Sequence, residues 1–189
     1  MGELRLVLRR ASEEDFEAVR NLLTEASRWL RRKGTDQWAA PWPDEYGRNE
    51  NIRRAIGAGR TWLLWDDDQA VATLTASPNH HKIWPEERRH EKAVYVRRLA
   101  VSRLCSGRGL GGRLLDWAGL RADREYGARW IRVDVWTTNT GLHRYYRGQG
   151  FARCGTSPIK GYPSAALFQK PIERIGPVTI PLFHVDPEN

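Results

Sequence analysis

The chain has 189 residues, which suits one domain with a full core and hardly two. Apolar residues make up 40% and charged residues 29%, so a disordered chain is excluded, and no apolar run approaches the roughly 20 residues of a membrane helix. The formal net charge is +8, and 26 of the 31 basic residues are Arg, so an anionic partner stands open beside a plainly solvated surface.

The pattern of elements begins with Leu4, Leu6 and Leu8 alternating with Arg5 and Arg9, a first strand over 4–8. Ser12 is placed as a helix N-cap with Asp15 in a loose capping box. Phe16, Val19, Leu22, Leu23, Ala26 and Leu30 then recur at helical steps up to Gly34. Residues 35–47, with Trp38, Pro41, Trp42 and Pro43, read as an aromatic loop before a second helix over 49–57. Strands follow over 61–65 and 71–76 around an Asp-rich hairpin turn, then a polar loop over 78–90 and a strand over 93–101. A helix is predicted over 110–126, a strand over 130–136, a short helix over 139–149, a strand starting at 150, and a last core strand over 164–169. Residues 1–171 form the expected domain, and 172–189, with three prolines, an extended C-terminal tail. The alternation of strands and helices predicts an α/β domain with a mixed sheet. Two cysteines cannot make a disulfide framework, and the N-terminus has no signal-peptide apolar stretch, so a soluble cytoplasmic protein is expected.

The informative segment runs from Leu99, Ala100 and Val101 through Ser106, Gly107, Arg108, Gly109, Leu110, Gly111, Gly112 and Arg113. A strand enters a glycine-rich turn that opens a helix, an arrangement that suits a phosphate. A P-loop would need Gly-Lys-Ser/Thr at its end, and Arg113 and Leu114 stand there instead. The dinucleotide fingerprint is met in form by Gly107, Gly109 and Gly112, but its glycines should follow the strand at once, and five residues intervene after Val101.

The segment resembles the acyl-CoA loop of the GNAT family of N-acyltransferases, with Gly109 and Gly111 on the family glycines and Ser106 where Gln or Arg is usual. A second stretch, Asn139 through Tyr146 to Gly150 and Phe151, is similar to the family's N-x-x-A-x-x-x-Y-x-x-x-G-F segment at full spacing, with Leu142 in place of Ala. The resemblance implies a GNAT-like fold, a mixed central sheet flanked by helices, and acetyl-CoA as the donor. It places the donor's pyrophosphate on the 108–113 backbone and its pantetheine beside Leu99, Ala100 and Val101. Asn139 would contact that arm, and Tyr146 would stand near the sulfur as general acid. Asn139 would also cap its helix, and Tyr145 and Tyr146 point about 100° apart, so one can pack in the core and the other face the cofactor, the latter being Tyr146 in the family register.

The resemblance leaves the base open. Where many members place a Glu, this chain has Arg97 and Arg98, one of which faces the site by strand alternation. Asp134 is the nearest carboxylate candidate, either as a base or as an ion-pair partner of one of those arginines. Trp38 and Trp42 either line an acceptor pocket together with Arg97 and Arg98 or pack against the domain. His80 and His81 have no matching ligands, so no metal is expected.

The implied activity is N-acetyl transfer to a primary amine of a small molecule or peptide, by direct attack on the thioester. A non-catalytic acyl-CoA sensor of the same fold is the alternative, and a basic nucleic-acid-binding protein would explain the charge but neither motif. No membrane partner is expected, and assembly as a homodimer is left open.

Overall fold

Strand and helix boundaries follow local signals throughout the computed structural model, which describes residues 6–41, 43–78, 82–176 and 184–185. The chain divides into two compact units. The first comprises Met1–Thr75, Arg98–Arg113 and Val178–Asn189; the second comprises Ala76–Arg97 and Leu114–Pro177.

In the first unit, β1 (Leu6–Arg10) pairs antiparallel with β2 (Thr61–Asp66), and β2 with β3 (Gln69–Ser77). The hairpin turns at Asp67, whose φ of 48° is one an Asp side chain tolerates. The two-residue strand His184–Val185, numbered β8 in chain order, lies parallel to β1. The first strand runs two residues past the expected end at Leu8, and its expected start at Leu4 lies outside the described residues.

After β1 the Asp15 carboxylate accepts hydrogen bonds from the Ser12 N–H at 2.8 Å and the Ser12 hydroxyl at 3.0 Å. It also holds Arg9 through two nitrogens at 2.8 and 2.9 Å. Burial works against this charged carboxylate, but the bonds from Arg9 and Ser12 outweigh it and hold its pKa below the ordinary value. Helix α1 (Phe16–Arg32) starts there and ends at Gly34, whose φ is 72°. The Thr35 N–H bonds to the Leu30 carbonyl and the Gly34 N–H to the Arg31 carbonyl, a Schellman closure.

Helix α2 (Glu45–Gly57) begins four residues before the expected 49. Asp44 caps it, accepting the Gly47 N–H at 2.6 Å, so the aromatic loop ends at 44 rather than 47. Val19, Leu22 and Leu23 of α1 pack on Ile52 and Ile56 of α2, over Leu63 and Ala100 of the strands. Each fully buried Leu, Ile or Val there is worth about 1.5–3 kcal/mol.

In the second unit, β5 (Trp130–Val135) pairs parallel with the start of β4 (Ala93–Val101) and antiparallel with β7 (Ala166–Pro171), which pairs with β6 (Ala152–Thr156). Strand β4 begins in this unit and ends in the first. Strands β6 and β7 start two residues later than the expected 150 and 164; Gly150, at φ 84°, still belongs to the turn. The polar loop over 78–90 contains the four-residue helix α3 (Glu86–Arg89) and two buried anchors, Ile83 and Trp84.

Trp84 stacks edge-on to Tyr95 and lies under the Arg132 guanidinium. Arg132 is 0% exposed. It donates to the Gln169 side chain at 3.2 Å, the Arg88 carbonyl at 2.6 Å and the Tyr95 hydroxyl at 3.1 Å, and pairs with Glu91. A buried charge so fully bonded ties the segment before β4 to the sheet.

Helices α4 (Leu110–Tyr126) and α5 (Thr140–Gly148) complete the elements. Gly119 of α4 is closely approached: a Cβ there would meet Ile175 at 2.7 Å and Ile172 at 3.5 Å. Ile172 and Ile175, in the segment expected as tail, are both buried. Among the described residues no helix is long and apolar enough to cross a membrane.

Candidate active site

The glycine turn hangs from a braced support. Past Val101 the Ser102 N–H bonds to the Val71 carbonyl at 2.8 Å, and a single 3-10 turn over Arg103–Cys105 buries Cys105. Glu25 of α1 accepts the Arg103 N–H at 2.7 Å and the Ser102 hydroxyl at 3.3 Å, and the Arg103 guanidinium lies 4.2 Å from the Trp29 ring centroid.

Ser106, Gly107, Arg108 and Gly109 are then exposed. Gly107 and Gly109 have φ of 80° and 72°, and nothing lies within 4 Å of where a Cβ would stand on either. Leu110 is buried and Arg113 returns its N–H to the Gly109 carbonyl at 3.2 Å, so the helix is fixed from its first residue. The N–H groups of Leu110, Gly111 and Gly112 precede the first carbonyls that could accept them within the helix. Open backbone, a helix N-terminus and exposed Arg103, Arg108 and Arg113 fit the pyrophosphate of an acyl-CoA.

The second constellation lies on α5. Asn139 caps it, its Oδ1 accepting the Leu142 N–H at 2.9 Å. His143 bonds through Nε2 to the Trp136 carbonyl at 2.9 Å. Tyr146 is the inward tyrosine, 8% exposed, with its ring edge-on to Phe151 at 5.4 Å and tilted to Phe168 at 6.4 Å. Tyr145 is 36% exposed. Burial, then the neighbouring Tyr145 and the Asp134 charge, push the Tyr146 pKa far above the usual phenol value. Burial and the Asp116 charge push Tyr145 up to about 12. Both hydroxyls therefore keep their protons at neutral pH and can donate.

The third group lies on β4 and β5. Arg97 Nε bonds to Asp134 Oδ1 at 3.1 Å, and the Tyr162 hydroxyl donates to Asp134 Oδ2 at 2.7 Å. Both Asp134 oxygens are thus engaged, in the ion pair that the sequence offered as the alternative to a base. Burial and the same carboxylate raise the Tyr162 pKa far above its ordinary value. Arg98 does not share Arg97's regular strand geometry: its φ of 51° is left-handed, a conformation costing about 1–3 kcal/mol in a non-glycine residue.

Trp38 packs against the α1–α2 core, and its carbonyl accepts the Ser27 hydroxyl at 2.9 Å, the packing alternative for that residue. Trp42, His80 and His81 lie outside the described residues. Among the described residues no cluster of three or more His, Cys, Asp or Glu side chains could hold a metal. Sequence reasoning missed Tyr162 and Glu25, which carry no motif and act at long range.

The sequence model of the acetyltransferase (GNAT) family matches residues 16–151, spanning both motifs. The chain belongs to the GNAT family. It is 32% identical over 163 residues to the uncharacterized N-acetyltransferase YesJ of Bacillus subtilis (strain 168), covering 84% of this chain and 86% of that one.

Among solved structures, a GNAT-family acetyltransferase from Listeria monocytogenes 4b F2365 superposes with a TM-score of 0.69 at 24% identity, covering 90% of this chain and 96% of that one. The PaiA N-acetyltransferase of Thermoplasma acidophilum, in complex with coenzyme A, superposes with a TM-score of 0.68 at 16% identity, covering 89% and 99%. The fold is accordingly the GNAT fold, a mixed sheet flanked by helices, and the chain is of the acyltransferase class.

Proposed function

We propose that this GNAT chain transfers the acetyl group of acetyl-CoA to a primary amine of a small molecule or peptide. The observation that carries the reading is the open Gly107–Gly109 turn at the start of α4, in a chain whose α5 holds a buried, protonated Tyr146. The coenzyme A bound to a superposable neighbour supports the same donor class.

Bound acetyl-CoA supplies a thioester whose carbonyl carbon takes the amine nitrogen while the carbon–sulfur bond breaks. Residues 108–113, together with Ser106 and Gly107, hold the pyrophosphate through backbone N–H groups, and Leu99, Ala100 and Val101 flank the pantetheine. Asn139 braces the helix that carries Tyr146. The Tyr146 hydroxyl donates its proton to the departing sulfur, a contribution of about 10²–10⁴-fold for a positioned acid.

Most of the remaining rate comes from holding two reactants in line. An amine of pKa near 10 costs about 4 kcal/mol to deprotonate at neutral pH. Asp134, with both oxygens bonded, serves this step by fixing Arg97, and the proton leaves through water.

Steady-state release of coenzyme A thiol from acetyl-CoA with a panel of amines tests the reading. Acceptor-dependent release supports it. Tight coenzyme A binding without release from any amine would make the chain a sensor.

A further inference from the structure

The Arg97–Asp134 pair leaves most of the guanidinium unused. Arginine has five N–H donors. The one on Nε goes to Asp134, and the terminal Nη1 and Nη2 have no partner among the described residues. The Arg97 side chain is 21% exposed and that of Asp134 8%. Neither terminal nitrogen is among the described buried atoms that lack a partner, so both open to solvent, where a ligand's acceptor group can reach them.

The group is also held still. Asp134 is anchored by Tyr162 and by the pairing of β5 with β7, where it stands opposite Leu167. The Nε bond then fixes the plane of the guanidinium and presents its Nη1–Nη2 edge. That edge matches a planar anion with two oxygens, which takes two parallel charge-assisted bonds. Asp134 itself, with both oxygens engaged, offers no free anion to a second ammonium group, which disfavours polyamines.

We propose that Arg97 is the carboxylate anchor of the acceptor, so that the amine acetylated also carries a carboxylate, an amino acid in the simplest case. The proposal rests on the acetyl-transfer reading above. Arg97 binds the carboxylate and fixes specificity; Asp134 and Tyr162 are positioning residues.

The test uses the full chain with coenzyme A present. Calorimetry compares the common amino acids with their decarboxylated counterparts, such as phenylalanine with phenethylamine and histidine with histamine, and thiol release follows turnover of the same compounds. At least one amino acid is expected to bind about tenfold or more tightly than its amine. That preference should vanish in Arg97→Gln and return in part in Arg97→Lys, with coenzyme A affinity unchanged in both as a check on folding.

Equal or tighter binding of the amines, binding of neither class, or a preference that survives in Arg97→Gln overturns the anchor. A carboxylate preference in binding with no thiol release from any compound keeps the anchor and overturns acetyl transfer instead.

Discussion

The Tyr162 hydroxyl reaches Asp134 Oδ2 at 2.7 Å from the loop before β7, so one carboxylate is shared between a phenol and the Nε of Arg97. Removing the charge with Asp134→Asn should cost about 1–3 kcal/mol, the range for hydrogen bonds to charged groups. Tyr162→Phe should cost about 1 kcal/mol, and the double variant less than the two together. Urea unfolding of the four proteins checks this; strict additivity would mean that the three side chains do not act as a unit.

The two tyrosines of α5 should separate in kinetics. Tyr146→Phe is expected to lower turnover by about tenfold or more with coenzyme A affinity retained, and Tyr145→Phe to stay near wild type. Thiol release measured for both variants decides, and a slower Tyr145 variant would shift the acid by one residue.

Gly34 and Gly109 share a φ of 72°, which makes one a control for the other. A valine at either position carries the same left-handed strain, about 1–2 kcal/mol or more. Only Gly109→Val should weaken coenzyme A binding, by about tenfold, because its side chain would stand on the open backbone face. Equal affinity in both variants would remove the glycine turn from the donor site.

Alkaline pH should unfold the chain through its buried and part-buried phenols. Burial raises Tyr126 and Tyr145 to about 12, and raises Tyr146 and Tyr162 further. A raised folded pKa means stability that is complete below the unfolded value near 10 and is lost as pH rises above it. Urea midpoints taken from pH 9 to 12 should fall, and Tyr146→Phe should reduce the slope above pH 10 by up to about 1.4 kcal/mol per unit. An unchanged slope would count against burial of that hydroxyl.

Arg132→Met would leave Glu91 and three acceptors without their cation. A loss of about 3–5 kcal/mol is expected, read from the same urea transitions, because one partner of a buried pair is removed. A loss below about 1 kcal/mol would show that the cluster is dispensable for stability.

The sequence was most legible where pattern and punctuation agree. Ala93–Val101 and Leu110–Tyr126 match their expected bounds because an apolar strand, a glycine turn and a helical repeat follow one another without ambiguity. The start of α2 was hidden because Asp44, between Pro43 and Gly47, reads as loop until its carboxylate is seen to cap. Trp84 was hidden by polar neighbours, since its burial depends on Arg132 and Tyr95 far along the chain. Alternation could not choose between Arg97 and Arg98, because the left-handed φ at Arg98 breaks the two-residue period there.

Glu25 lies well outside both family motifs, yet its carboxylate grips the backbone N–H of Arg103, four residues before the first glycine of the turn. The stiffness of the glycine turn is therefore set partly by the first helix. A substitution at Glu25 would leave every motif residue intact and still loosen the turn, so that more entropy is lost when a pyrophosphate settles on it. On the proposed reading of the turn, donor affinity would draw on a helix that a motif search would pass over.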